Sequence, residues 1–142
     1  MWPKTALSEI MRPKTLRELA LPLYQIERLE GMVRVGQVQS LLLSGDPGLG
    51  KTSTAQILTK AINADVHEFT GTSKDLKPSS FSGNSLASLL EGRPLVYVIE
   101  DTEHMSQRTQ AALRGWTEEL LRLAPQCRFI FTTNDIANLM AP

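Results

Sequence analysis

Gly45-Asp46-Pro47-Gly48-Leu49-Gly50-Lys51-Thr52 is the stretch on which the reading of the whole chain turns. Glycines at 45, 48 and 50 let successive backbone N–H groups face inward at phosphate oxygens, where side chains would block the approach. A helix starting at Lys51 adds its positive end. Lys51 is placed to reach the β- and γ-phosphates of a nucleotide, and the Thr52 hydroxyl, followed by Ser53, to ligate Mg²⁺. Such a loop requires a strand before it and a helix after it. Residues 40–44, Ser-Leu-Leu-Leu-Ser, are a short apolar run that predicts a strand buried on both faces of a parallel sheet. Beyond the loop, Ala55, Leu58 and Ile62 give a helical stripe, and residues 65–70 can form a second strand, which makes a βαβ unit.

Outward from this core, Thr15 and Glu18 stand at capping-box spacing, and Pro22 then breaks the pattern, so residues 15–21 predict one short turn of helix. Ile26, Leu29 and Val33 recur at helical spacing until Gly36. On the other side, residues 71–85, rich in Ser, Gly, Lys and Asn, predict an irregular connection, and residues 86–91 a short helix closed by Gly92. Residues 95–99 are the most strand-like run and end on Glu100-Asp101. Ser106 can cap a helix carrying Leu113, Trp116 and Leu120 on one face, despite Gly115. Residues 128–132 read as another strand, ending in Thr133-Asn134-Asp135.

The chain has 142 residues, 42% of them hydrophobic, enough for one globular domain with a core and too few for two. Lys plus Arg and Asp plus Glu are equal at 15 each, so no overall field draws the chain onto nucleic acid or an anionic membrane. A single cysteine, Cys127, excludes an internal disulfide and fits a cytoplasmic protein. Neither a signal-peptide core nor an apolar run of about 18 residues is present, so neither secretion nor membrane spanning is expected.

A phosphate cradle needs acidic partners, because Mg²⁺ takes a carboxylate near its water shell and the attacking water needs a base or an orienting group. Glu100 and Asp101, at the end of a neighbouring strand, supply both charges, with Glu100 assigned to the metal. Asn134 ends the last strand, and parallel strands present their C-terminal ends together, so it can bond the γ-phosphate or the attacking water. A glycine-rich turn, a solvated acidic turn and a turn asparagine are the plain alternatives, and the three motifs together argue against them. His67 and His104 are isolated and read as surface or supporting residues, and Trp116 as core.

Taken together these residues resemble the AAA+ ATPase subunits of sliding-clamp loaders, most closely the phage type. Arg12-Pro13-Lys14-Thr15-Leu16-Arg17-Glu18-Leu19 resembles that family's Arg-Pro-x-Thr-Leu-x-Glu-Leu segment, and the resemblance puts Arg12 and Pro13 at the adenine pocket. Leu21-Pro22, the glycine loop, Asn63-Ala64-Asp65 and Gln110-x-x-Leu113-Arg114 follow the same order, and Thr132-Thr133-Asn134 is similar to the family's sensor-1 segment. The likeness covers nearly all of residues 1–142. It implies an α/β P-loop NTPase fold, a three-layer α/β/α parallel sheet incomplete at its C-terminal end. It also implies ATP and Mg²⁺ as ligands, a ring of clamp-loader subunits, and a sliding clamp and primer–template DNA as partners.

Two departures stand out. The family usually has Asp-Glu where this chain has Glu100-Asp101, which implies slow hydrolysis. The closing residues 136–142 are similar to the stretch before the family's Ser-Arg-Cys motif, and the resemblance implies that the arginine finger, the fifth strand, the helical lid and its sensor arginine are absent from residues 1–142. Two other readings stay open: a branch-migration helicase motor, which shares Arg-Pro-Lys-Thr-Leu and Pro-Gly-Leu-Gly-Lys-Thr, and a nucleotide-binding ring subunit that does not turn over.

Overall fold

The computed structural model describes residues 12–46, 50–71, 92–123 and 127–134. Pro47, Gly48, Leu49, the helix expected over 86–91, most of the connection expected over 71–85, and the closing stretch from Asp135 lie outside the described residues.

Four strands form one sheet: β1 (Leu41–Ser44), β2 (Asp65–Thr70), β3 (Leu95–Glu100) and β4 (Cys127–Thr133). All pairs are parallel and the spatial order is β1-β4-β3-β2. β3 is central, and Leu95 to Ile99 are buried on both faces, as an uninterrupted apolar run requires. Its side chains alternate between two cores. Val96 and Val98, with Ile130 of β4, face α1 (Leu23–Val35) and α2 (Lys51–Ala61), meeting Ile26, Leu29, Met32, Ala55 and Leu58. Leu95, Tyr97 and Ile99 pack with Phe129 beneath α3 (Gln107–Leu123), against Leu113 and Leu120, with Trp116 at the margin. Helices on both faces of a parallel sheet make the expected three-layer α/β/α arrangement.

Local signals explain the helix ends. Ser106 Oγ accepts the N–H of Thr109 (3.1 Å), the N-cap that starts α3. Gly36, at φ 78°, closes α1 with bonds from its N–H and that of Gln37 to Met32 O, the glycine-dependent stop of the Schellman type. The turn expected over 15–21 is a single 3-10 turn, Leu16–Glu18. Only the acidic half of its capping box forms, one residue early: Glu18 Oε2 accepts the Lys14 N–H (2.9 Å), while Thr15 makes no side-chain cap.

One expectation is corrected. β1 is not buried on both faces: Leu41 and Leu43 are half-buried and Leu42 is 46% exposed. The cause is its position at the end of the strand order, with β4 its one neighbour among the described residues. An apolar strand with a free row of N–H and C=O groups is a template for pairing with another chain. A protein consisting of residues 1–142 is therefore expected to self-associate at tens of micromolar in light scattering, and Leu42→Lys to reduce the effect. A stable monomer before any substitution would contradict this view of the edge.

Candidate functional site

The C-terminal ends of the parallel strands gather the sequence-predicted residues on one side of the sheet. Gly45 leaves β1 at φ 149°, and its N–H donates to Thr133 O of β4 (3.2 Å), so the glycine loop is tied at its base to the segment carrying Asn134. Gly50 closes the loop at φ 83° and ψ 23°, and a Cβ there would come 3.3 Å from Leu19 Cδ2. Both the conformation and the close approach call for glycine. Its carbonyl accepts the N–H (2.8 Å) and the hydroxyl (2.7 Å) of Thr54, starting α2.

Lys51 Nζ donates to Gly45 O (2.7 Å) and Asp46 O (2.8 Å). The ammonium spans the first residues of the loop with a third donor to spare. Thr52 is half-buried beside it and Ser53 is buried. A groove of about 640 Å³ runs from Lys51 and Thr54 along β1 to Leu21, Pro22 and Gln25, within the size range of small-molecule sites. Arg12 and Pro13 stand elsewhere: Arg12 Nη1 donates to Gln56 Oε1 (2.9 Å), and both residues line a separate, basic groove with Lys14, Arg34 and Lys60.

Glu100 ends β3 half-buried, in register with Thr70 of β2. Asp101 is exposed and left-handed, φ 55° and ψ 47°, an uncommon conformation that Asp tolerates better than most residues. Thr132 fixes this turn: its Oγ1 accepts the Asp101 N–H (3.2 Å) and its carbonyl accepts the Thr102 hydroxyl (3.1 Å). Asn134 follows β4, half-buried, next to Thr133, which is in register with Ser44. The acidic turn, the loop base and Asn134 thus share β4 as a common frame.

Residues flanking the acidic pair and Asn134 hold this frame. Thr132 and Thr133 are buried. Glu103, in the 3-10 turn Thr102–His104, has a side chain only 6% exposed and accepts the Thr133 hydroxyl through Oε2 (3.1 Å). Burial opposes its ionisation, but hydrogen bonds from the backbone of Glu103 and Asn134 and from Thr133 outweigh that and hold the carboxyl below its ordinary range. Gly71 donates its N–H to Glu100 O (2.7 Å), and a Cβ there would lie 2.5 Å from Asp101 O. Gly71→Ala must displace the acidic turn, and overpacking of this kind costs about 1–3 kcal/mol. We expect a melting temperature several degrees lower in a thermal scan; an unchanged one would mean that the backbone yields freely there.

His67 and His104 match their bland readings. The His67 ring packs on Tyr97 (centroids 5.4 Å apart) with Nε2 3.4 Å from Asp65 Oδ2, and His104 is 59% exposed.

The donors available near the loop are oxygens, the Thr52 hydroxyl and the Glu100 carboxylate, which suits a hard cation. Among the described residues no group of three or more His, Cys, Asp or Glu could hold a metal by itself. No helix among those residues is long and apolar enough to cross a membrane.

The family described as ATPase family associated with various cellular activities (AAA) matches residues 41–142. Among curated proteins, the chain is 27% identical over 143 residues to the replication factor C small subunit of Archaeoglobus fulgidus, covering 94% of this chain and 44% of that protein. It is 29% identical over 150 residues to replication factor C subunit 4 of Caenorhabditis elegans, covering 95% and 44%. The chain thus spans less than half the length of these relatives. Among solved structures, the RuvB Holliday junction branch migration motor of Thermotoga maritima superposes with a TM-score of 0.68 at 23% identity, covering 92% of this chain and 44% of that one. That likeness bears on the fold.

Proposed function

Because the chain belongs to the AAA family of ATPases, we propose that it binds ATP with Mg²⁺ at the glycine loop and serves, within a larger protein, as an ATP-hydrolysing subunit of a DNA sliding-clamp loader. The observation that carries the chemical part is the convergence on β4: Gly45 bonds Thr133 O, Asp101 bonds Thr132 Oγ1, and Asn134 comes next in the chain. The replication part is supported by likeness to replication factor C subunits over 94–95% of the chain.

In this reading Lys51 meets the β- and γ-phosphates, and the N–H groups of the loop and of the start of α2 complete the cradle. Mg²⁺, when bound, would supply positive charge against the charge developing on the phosphates. Thr52 ligates it directly and Glu100 holds it through water. Asp101 orients the attacking water, and Asn134 hydrogen-bonds the γ-phosphate. The base and sugar occupy the groove between Pro22 and β1. The nucleotide state is passed to neighbouring subunits, and the work is the opening and placing of a ring-shaped clamp on primer–template DNA. We place the protein in the cytoplasm, with the replication machinery.

A branch-migration motor is the competing reading, resting on the shared Arg-Pro-Lys-Thr-Leu and Pro-Gly-Leu-Gly-Lys-Thr segments, while the likeness to solved structures bears on the fold. The deciding experiment gives the full-length protein, assembled with its partner subunits, either a clamp with primed DNA or a four-way junction, each with ATP. ATP-dependent retention of the clamp on primed DNA is expected. Junction migration without clamp retention would overturn the proposal.

A further inference from the structure

A buried carboxylate beside a catalytic centre has a limited set of uses: metal ligand, proton acceptor or structural tie. Glu103 is such a group, three residues past Glu100. Its Oε2 is taken by the Thr133 hydroxyl (3.1 Å). Oε1 is buried without a hydrogen-bond partner among the described residues, with His104 Nε2 3.7 Å away. An oxygen committed to a hydroxyl donor, on a side chain 6% exposed, is poorly placed to take a proton from a water that must reach a phosphate.

What the geometry does provide is a bridge. The turn bearing Glu103 begins at Asp101, and Thr133 immediately precedes Asn134. Two other bonds join the same pieces of chain, Asp101 N–H to Thr132 Oγ1 and Thr102 Oγ1 to Thr132 O, but both end one residue short of Thr133. The Glu103 carboxylate is the contact that reaches Thr133, the residue directly before Asn134.

We infer that Glu103 is a positioning residue, tying the acidic turn to the end of β4 so that Asn134 and Asp101 are held at a fixed separation across the reacting phosphate. This rests on the proposed ATPase reading of the site. Its effect belongs to the chemical step and not to ATP binding, because the loop and Lys51 are held by other bonds. Loss of the tie lets Asn134 drift, and misplacement by about 1 Å costs on the order of a hundredfold in rate.

The test is single-turnover and steady-state ATP hydrolysis by the full-length, assembled protein. Glu103→Ala is expected to lower kcat roughly ten- to a hundredfold with KM and the affinity for a fluorescent ATP analogue unchanged. Thr133→Val, which keeps the shape and removes the donor, is expected to do the same and guards against misfolding of the first variant. Glu103→Gln keeps an acceptor for Thr133 but cannot act as a base, so it is expected to restore most of kcat. Asn134→Ala should cost much less in the Glu103→Ala background than in the wild type, as for groups acting together. Unchanged kcat in Glu103→Ala and Thr133→Val, additive effects with Asn134→Ala, or a Glu103→Gln variant as inactive as Glu103→Ala would each overturn the inference, the last by making Glu103 a base. A wild type that binds no ATP, or binds it without turnover, would instead overturn the ATPase reading and the inference with it, whereas any of the outcomes just named, with a wild type that turns over, overturns the inference alone.

Discussion

Exchanging the acidic pair, Glu100→Asp together with Asp101→Glu in the full-length, assembled protein, should raise ATP turnover by about a hundredfold without tightening ATP binding. The cause is reach. In the family that the sequence resembles, a glutamate follows the aspartate of this motif and holds the attacking water. Asp101 is one methylene shorter and stops roughly 1–1.5 Å short, from covalent geometry. Backbone adjustment could close such a gap in a loose loop, but this turn is pinned: the Asp101 N–H is bonded to Thr132 Oγ1, Thr102 to Thr132 O, and Gly71 leaves no space on the other side. Glu103 is no substitute, being turned to Thr133. Glu100, the longer side chain, still serves the metal through water, so binding survives. Single-turnover rates before and after the exchange check this; a fall in turnover would defeat the account of the swapped pair.

Lys51→Ala should weaken ATP binding roughly ten- to a hundredfold, corresponding to about 1.5–3 kcal/mol for one charge-assisted contact. Two losses combine in that change. The phosphates lose an ammonium, and among the described residues Arg28, on α1, is the other lysine or arginine lining the groove. The loop also loses the bonds from Nζ to Gly45 O and Asp46 O that hold its first residues together. Displacement of a fluorescent ATP analogue measures both at once, and unchanged affinity would count against the assignment of the loop.

Much of this fold is legible in the sequence because its signals are local. The continuous apolar run ending in Glu100 could only be a central strand, Gly36 and Ser106 mark helix ends by backbone chemistry, and the glycine loop fixes a strand–loop–helix order. Strand order is not local. Nothing in Leu41-Leu42-Leu43 itself tells that β1 pairs with β4, some 90 residues on, alone among the described residues. The apolar run predicts burial on both faces, and the open edge is foreseen only through the resemblance, in which the fifth strand lies against the loop-bearing strand. The site divides in the same way. Lys51, Glu100 and Asn134 are recognisable by type and spacing, whereas Glu103, one turn past the acidic pair, reads as an alternative base, and only the approach of Thr133 from another strand shows it buried and tied. Gly71 carries no sequence mark either; its meaning lies in the Asp101 carbonyl packed against it. Arg12 and Pro13, expected at the adenine pocket by resemblance, stand against Gln56, while the groove reaching Lys51 is walled by Leu21 and Pro22. That difference follows from the 3-10 turn Leu16–Glu18, which carries the chain from one groove to the other.

The central claim is that the loop from Gly45 to Thr52 is a site for ATP with Mg²⁺, and calorimetric titration of ATP into the protein, with Mg²⁺ and then with the metal chelated, tests it most directly. One saturable site is predicted, weaker without Mg²⁺ and weaker again in Lys51→Ala. A folded protein that gives no binding heat at any ATP concentration up to millimolar, or binds equally well with Lys51 replaced, would contradict it.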